Sequence, residues 1–243
     1  MNGTRRLWEE ARAAPATNAA DSGGFSVFLD GRPLRAPGGA ALVLPTRALA
    51  EDIAREWQSR PRGASIPADH LLLTRLAATA QERIAPAPEP TIAAIAAYGA
   101  TDLLCYRAAE PEALARRQEA AWQPWLDWAA SELGARLKLT TGVMPLAQDP
   151  AALAALRAAV AAAPVPALAA LGLAVPALGS LVLGLAVIRG RLTPAEAARA
   201  SLVDELFQAE FWGEEPQAAA RRAAIGAEIA LAARFAALAE APA

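Results

Sequence analysis

The sequence contains one cysteine, Cys105, and one histidine, His70, among its 243 residues. A single cysteine excludes an intramolecular disulfide and favours a reducing compartment. Structural zinc sites take four Cys or His ligands, so these two residues cannot build one. A serine triad would depend on His70, and the chain has neither a nucleophile-elbow motif nor a glycine-rich phosphate loop. We therefore expect no catalytic residue, no metal and no cofactor.

Positive charge and aromatic side chains are also scarce. The formal net charge is −2 and the isoelectric point is near 5.6, which gives no broad basic field for nucleic acid. Aromatic residues make up 5% of the chain, whereas 55% of residues are hydrophobic. Most of that excess is alanine, which has the highest helix propensity. The composition therefore predicts a mainly α-helical protein without a nucleic-acid partner.

The N-terminal residues lack the apolar core of a secretory signal. Glu9 and Glu10 argue against a mitochondrial presequence, which favours a cytoplasmic location. Residues 158–188 carry no charge and exceed the ~20 residues that a membrane helix needs. Prolines and glycines divide this stretch into short pieces. We predict two buried helices over residues 165–188, broken near residues 176–179, and a membrane segment is the alternative.

Alternating apolar residues predict a small sheet near the N-terminus. Phe25, Val27 and Leu29 alternate with Ser26 and Asp30, and Asp30-Gly31 is typical of a turn between two strands. Three antiparallel strands are expected, at residues 25–29, 34–36 and 42–44. A helix capped by Thr46 would follow and cover one face of this sheet.

The remainder is predicted to be helical, apart from one short strand at residues 136–140 that would rejoin the N-terminal sheet. A proline-rich linker is expected at residues 86–90. The predicted helices cover residues 70–85, 91–107, 111–134, 193–213 and 216–239, besides the apolar region above. If the helix over 91–107 is continuous, Tyr98, Asp102 and Tyr106 lie on one face of it. Asp149-Pro150 is expected to begin a further helix. The fold class is therefore α+β, with a small N-terminal antiparallel β domain (1–65) followed by a larger all-helical domain (66–243).

Residues 202–213 are the most informative stretch. At 100° per residue, one broad apolar face consists of Leu202, Val203, Leu206, Phe207 and Phe211. Asp204, Glu205 and Gln208 lie on the opposite, polar face. Glu210 lies within the apolar arc, where a carboxylate needs a donor, access to water or a binding partner.

Two roles for Glu210 are open. It either takes part in recognition or forms a salt bridge with an arginine, and the candidate arginines are Arg221, Arg222 and Arg189. Asp204 and Glu205 diverge by about 100° on a helix, so they form no acid/base dyad, and a solvated face is their simplest role. The alternative function is a helical enzyme or small-ligand-binding protein that uses Glu210 as a buried functional carboxylate, which requires a pocket with a second functional group.

Several separated segments carry a family signature. They are GGFSVFLDGRPLRAP at 23–37, LA at 49–50, EW at 56–57, LTRLAATA at 73–80, TDLLCYR at 101–107, WQPWLDW at 122–128, GSLVLGLA at 179–186 and SLVDELFQAEFWG at 201–213. Together these segments resemble, in the same order, the assembly chaperones that bind the α subunit of F1 ATP synthase. The sequence departs from that family at Leu71-Leu72, where a Met-Pro pair is usual, and at Gln81, where an acidic residue is usual.

The resemblance implies a noncatalytic, monomeric protein that binds the newly made α subunit. It would shield the surface that the β subunit covers later and prevent aggregation, without stable membrane insertion. Mitochondrial members of the family work in the matrix, and a chain without a presequence is expected to be a bacterial, cytoplasmic member. The expected partner-binding residues lie on and before the last signature segment. They are Glu196, Asp204, Glu205, Gln208, Glu210 and Trp212.

Overall fold

The computed structural model describes residues 4–16 and 23–240. The chain divides into two compact units. The first consists of Met1–Pro88, Val165–Ala170 and Arg234–Ala243, and the second of Glu89–Pro164 and Leu171–Ala233. The first unit thus continues past residue 65 and includes the helical segment that precedes Pro88.

The first unit contains a three-stranded antiparallel sheet. Its strands are β2 (Ala11–Pro15), β3 (Phe25–Leu29) and β4 (Arg32–Pro33), with β3 in the centre. The predicted strand at 25–29 is confirmed, and so is the turn, in which Asp30 and Gly31 both have positive φ (47° and 79°).

Two details of the predicted sheet are wrong. The returning strand is Arg32–Pro33 rather than 34–36, and residues 42–44 contribute only an isolated bridge between Leu44 and Phe25. Strand β2 takes the edge position instead. Its sequence, ARAAP, has none of the β-branched or aromatic residues that mark a strand, so only its pairing with β3 makes it one. A further short pair joins β1 (Thr4–Arg5) and β5 (Ser65–Ile66).

Helix α1 (Arg47–Gln58) follows the sheet as predicted. The Thr46 hydroxyl caps it by accepting from the backbone N–H of Leu49 at 3.1 Å. Glu56 then caps the next helix, α2 (Leu72–Thr79), by accepting from the N–H groups of Leu73 and Thr74. A π-helical turn, Ala80–Ile84, continues α2. This cap from another helix replaces the side-chain cap that α2 lacks in its own sequence.

Most helices of the second unit lie where the sequence predicted them. They include α4 (Glu112–Glu132), α5 (Pro150–Ala161), α7 (Leu181–Ile188), α8 (Pro194–Ser201) and α9 (Val203–Trp212). Helix α3 is Pro88–Ala96, α6 is Val165–Leu178 and α10 is Pro216–Glu240. Trp122, Leu104 and Leu156 are fully buried in the second unit's core.

The apolar stretch forms two helices, as predicted. Helix α6 ends where Gly179 takes a left-handed conformation (φ 63°), and Ser180 caps α7 by accepting from the N–H of Leu183. Within the described parts of the chain, no helix is long and apolar enough to cross a membrane.

Three other predictions are wrong. The helix expected over 193–213 breaks at Leu202 (φ −108°, ψ 16°), although neither Gly nor Pro marks the break. The late strand is β7 (Thr140–Thr141), and it pairs in parallel with β6 (Tyr106–Arg107) in the second unit rather than with the N-terminal sheet. The expected linker is largely helical, because α3 begins at Pro88 and proline fits the first turn of a helix.

Candidate partner-binding surface

Helix α9 presents two stripes of side chains within the second unit. Val203, Leu206 and Glu210 recur at i, i+3 and i+7 and line a groove whose other wall is α4 and α8. The second stripe lines a hollow beside α10 and consists of Glu205, Gln208 and Trp212. Five of the six predicted partner-binding residues therefore lie on α9, and Glu196 lies on α8. Glu196 and Glu210 line the groove beside α4, whereas Glu205, Gln208 and Trp212 line the hollow beside α10.

The groove beside α4 has a volume of about 520 Å³. Its apolar lining consists of Ala120, Ala121, Trp125, Leu192, Ala200, Val203 and Leu206. Its charged lining consists of Arg117, Glu196, Arg199 and Glu210. A groove of this kind offers an apolar floor with ionic groups of both signs at its sides.

Glu210 forms a bidentate ion pair with Arg117 of α4. Arg117 Nη1 donates to Oε1 at 2.6 Å, and Nη2 donates to Oε2 at 2.7 Å. These hydrogen bonds hold the pKa of Glu210 below its ordinary value. Arg117 also lies over the ring of Phe207, with its guanidinium carbon 5.0 Å from the ring centroid.

Two expectations for Glu210 are thereby corrected. Its partner is neither Arg189, Arg221 nor Arg222, because α4 supplies an arginine from 93 positions earlier in the chain. The side chain is also not buried, since 54% of its surface is exposed. The break at Leu202 shortens α9, and Phe207 is the one residue that this helix buries. The apolar arc of the helical wheel is therefore only partly covered.

Glu196 belongs to the capping box of α8. Its carboxylate accepts from the N–H of Thr193 at 3.1 Å and from the Thr193 hydroxyl at 2.5 Å. The Thr193 hydroxyl in turn accepts from the N–H of Glu196. These bonds lower the pKa of Glu196. The position in the first helical turn is as the sequence indicated, and the carboxylate at the groove wall is held in place.

Asp204 accepts a hydrogen bond from Gln118 Nε2 at 2.7 Å. Gln118 is buried on α4, and its Oε1 accepts from the backbone N–H of Ala108 at 2.7 Å. The simplest role given to Asp204, a solvated face, is therefore incomplete. Asp204 anchors the beginning of α9 to α4 through a buried amide.

Glu205 receives a hydrogen bond from Arg221 Nη1 at 2.6 Å. It lines a hollow of about 330 Å³ together with Gln208, Trp212 and Arg222. Gln208 is exposed. Arg222 Nη2 donates to Glu214 Oε1 at 2.7 Å. Glu214, just after α9, is therefore also paired with an arginine of α10.

The end of α9 exposes two adjacent aromatic side chains. Phe211 is 67% exposed and Trp212 is 81% exposed, immediately before Gly213 (φ 85°) ends the helix. Phe211 lies on the apolar face given by the helical wheel, but this end of that face is exposed. Its ring lies 4.8 Å from that of Phe207, so the two rings form a continuous aromatic strip from the core to the surface. We call Phe211 and Trp212 the aromatic tip.

Asp102, in the signature segment 101–107, has a structural role. Asp102 is fully buried, and it accepts from the N–H of Leu104 at 3.1 Å and from the N–H of Val182 at 3.0 Å. Burial raises its pKa. The expected face shared by Tyr98, Asp102 and Tyr106 is wrong, because the chain here forms two 3-10 segments rather than one helix. Asp102 joins the 101–107 and 179–186 signature segments.

The single cysteine and the single histidine show no sign of a catalytic or metal-binding role. Cys105 is buried, and burial raises its pKa to about 12, so it is a poor nucleophile. His70 is exposed at the end of a 3-10 turn, Ala68–His70. In residues 4–16 and 23–240, no group of three or more His, Cys, Asp or Glu side chains is placed to hold a metal ion.

Sequence reasoning missed two residues of this surface. Arg117 gives no local signal, since only the packing of α4 against α9 brings it to Glu210. Gln118 gives a signal that could have been used. It interrupts the buried stripe Leu114, Trp122 and Leu126 at helical spacing, as Glu210 interrupts its own apolar arc.

Comparison with known proteins agrees with this geometry. The family model described as ATP12 chaperone protein matches residues 5–130. The crystal structure of ATP12 from Paracoccus denitrificans is 45% identical, with a TM-score of 0.90, over 97% of this chain and 98% of that one. A protein from Agrobacterium tumefaciens, proposed to be a chaperone, is 37% identical with a TM-score of 0.87, over 97% of this chain and 85% of that one. The chain therefore belongs to the ATP12 chaperone family, the family of ATP synthase assembly chaperones that its signature segments resemble.

Proposed function

We propose that this chain binds the α subunit of F1 ATP synthase before assembly, covers the surface that later contacts the β subunit, and thereby prevents aggregation. A subunit of an obligate complex exposes the apolar part of its interface until its neighbour arrives. A chaperone that covers this part must offer an exposed apolar surface of its own. Family membership supports the general role, and the aromatic tip supports the position of the contact.

The aromatic tip is the observation that carries the proposal. Tryptophan and phenylalanine are costly to leave in water, and large aromatic side chains dominate the binding energy of protein interfaces. Phe211 and Trp212 are adjacent, exposed and at the end of a helix that also holds Glu205, Gln208 and Glu210. An apolar anchor surrounded by polar groups is the usual composition of an interface.

The partner-binding set that we propose retains all the residues named from the sequence. Trp212 and Gln208 would contact the client directly, because both are exposed. Glu205 and Glu210 would provide carboxylates to basic residues of the client. Asp204 and Glu196 would act at the borders of the surface, where their hydrogen bonds to Gln118 and Thr193 fix their positions.

The proposed role is noncatalytic. A general acid at neutral pH needs a raised pKa, whereas the hydrogen bonds from Arg117 lower that of Glu210. Glu210 is also half exposed rather than enclosed with a second functional group. The alternative of an enzyme required a buried carboxylate at this position, and Glu210 does not meet that requirement. We further propose that the protein acts as a monomer in the bacterial cytoplasm.

The experiment that tests this function measures light scattering by purified F1 α subunit, alone and with an equimolar amount of this chain. The wild-type chain should suppress the scattering, and Trp212→Ala should suppress it less. Trp212 is 81% exposed, so the substitution should change the free energy of unfolding by no more than about 0.5 kcal/mol.

Val143→Ala is the matched control, because Val143 is 91% exposed in a loop of the same unit and lines neither the groove nor the hollow beside α9. It should protect the α subunit as the wild type does. No protection by the folded wild-type chain would contradict the proposed function, and equal loss in both variants would contradict the position of the contact.

A further inference from the structure

Three carboxylates on or next to α9 hold an arginine of the same unit. Arg117 of α4 binds Glu210, Arg221 of α10 binds Glu205, and Arg222 of α10 binds Glu214. The arginines come from α4 and α10. A basic partner that binds one of these carboxylates would therefore meet a cation that is already in place.

The Arg117–Glu210 pair shows which chemistry the carboxylate accepts. Both carboxylate oxygens receive a guanidinium N–H at 2.6 and 2.7 Å, which is the fork-to-fork geometry of an arginine–carboxylate pair. A lysine has a single ammonium group and cannot reproduce two parallel bonds. Glu210 is thus already shaped as a receptor for a guanidinium, and Arg117 occupies that receptor.

The pair is also exposed enough to exchange. Arg117 is 48% exposed and Glu210 is 54% exposed, and exposed ion pairs are weak because water and salt screen them. Glu210 lines the same groove as Val203, Leu206 and Trp125. An incoming arginine could therefore replace Arg117 while an apolar side chain next to it enters the groove.

We propose that Arg117 is an internal competitor of the client, and that a client arginine flanked by an apolar side chain displaces it from Glu210. This inference rests on the proposed function and specifies the chemistry of the segment that binds. Competition by a resident arginine multiplies the apparent dissociation constant by the reciprocal of the fraction of molecules in which Glu210 is free. It also favours release, since Arg117 returns to Glu210 as the client leaves.

The test uses Arg117→Leu, which removes the guanidinium and retains an apolar stem over Phe207. Purified F1 α subunit is the probe, and the dissociation constant is measured by fluorescence anisotropy at constant salt. An exposed pair of ordinary strength predicts that Arg117→Leu binds the α subunit about two- to sixfold more tightly. Glu210→Ala should bind more weakly than wild type. In the double variant the gain from Arg117→Leu should disappear.

Arg116→Leu is the matched control. Arg116 is the next residue on α4 and forms an exposed pair with Glu112 at 2.5 Å, so its loss changes the net charge equally without freeing Glu210. It should leave the dissociation constant unchanged. Melting temperatures of all variants identify any that fail to fold, and Arg117→Ala then replaces Arg117→Leu.

The outcomes separate this inference from the proposed function. Weaker binding by Glu210→Ala combined with no gain for Arg117→Leu would overturn the competition and leave the binding site in place. A gain that persists in the double variant, or equals that of Arg116→Leu, would overturn it as a general charge effect. If the wild-type chain did not bind the α subunit at all, the proposed function would fail and the inference with it.

Discussion

Asp102 connects two of the signature segments, 101–107 and 179–186, by hydrogen bonds that its carboxylate accepts from both. Its carboxylate lies at the beginning of α7 and also caps the 3-10 turn Leu103–Cys105. Val182 lies 80 positions from Asp102, so its hydrogen bond is a tertiary cross-link rather than a local cap. A buried carboxylate is tolerated here because backbone N–H groups and the positive end of the α7 dipole surround it.

We expect Asp102→Ala to destabilise the protein strongly. The substitution leaves the N–H groups of Leu104 and Val182 without a partner in the core, and each such orphan costs about 1–3 kcal/mol. The free energy of unfolding is measured with urea. Asp149→Ala is the control, because Asp149 caps α5 from an exposed position and its loss should cost about 1 kcal/mol. Equal losses at the two sites would show that Asp102 is an ordinary cap.

Helices that begin or end at a local signal were predictable from the sequence. Thr46, Asp149-Pro150 and Gly179 mark boundaries of α1, α5 and α6, and each of these boundaries is confirmed. Features that depend on distant partners were not predictable. Strand β2 has no strand-like composition, and Leu202 breaks a helix without Gly or Pro.

The candidate site shows the same division. Helical spacing placed Glu205 and Gln208 on one face of α9, and both line the hollow beside α10. The spacing also placed Phe211 on the apolar face, but it could not show that this end of the face is exposed, because a helical wheel does not contain the neighbouring helices. The arginines that pair with the carboxylates depend on helix packing, which no local pattern specifies.

The close packing of α7 gives a prediction at the scale of the element. A Cβ on Gly184 would lie 2.5 Å from Val175 Cγ2, whereas a Cβ on Gly172 would meet nothing within 4 Å. Both glycines lie inside helices. Gly172→Ala should therefore raise the free energy of unfolding by about 0.5–1 kcal/mol, and Gly184→Ala should lower it. Thermal melting of the two variants checks this, and a stabilised Gly184→Ala would contradict the packing.

The polar stripe of α9 gives a second prediction at this scale. Glu205→Ala breaks an exposed pair with Arg221, so the free energy of unfolding should change by no more than about 1 kcal/mol. Binding of F1 α subunit should nevertheless weaken, because a recognition carboxylate is lost. The matched control is Glu112→Ala, which breaks a similar pair on α4. Wild-type affinity for Glu205→Ala would show that this stripe is only solvated.

The likeness to the family extends over almost the whole chain, but the family model and the related structures cover different lengths of it. The family model ends at residue 130, before α8 and α9, so it includes none of the proposed partner-binding residues. The Paracoccus structure matches 97% of the chain at 45% identity and therefore includes this surface. The exposed aromatic tip thus belongs to a part of the chain that the structural relatives share.

The central claim is that the chain covers the surface of the α subunit that later contacts the β subunit. Size-exclusion chromatography of this chain with purified F1 α subunit, before and after addition of the β subunit, tests it most directly. The account predicts that the chain elutes with the α subunit and leaves it when the β subunit is added. Separate elution from the α subunit, or a stable complex that contains the chain and both subunits, would contradict the account.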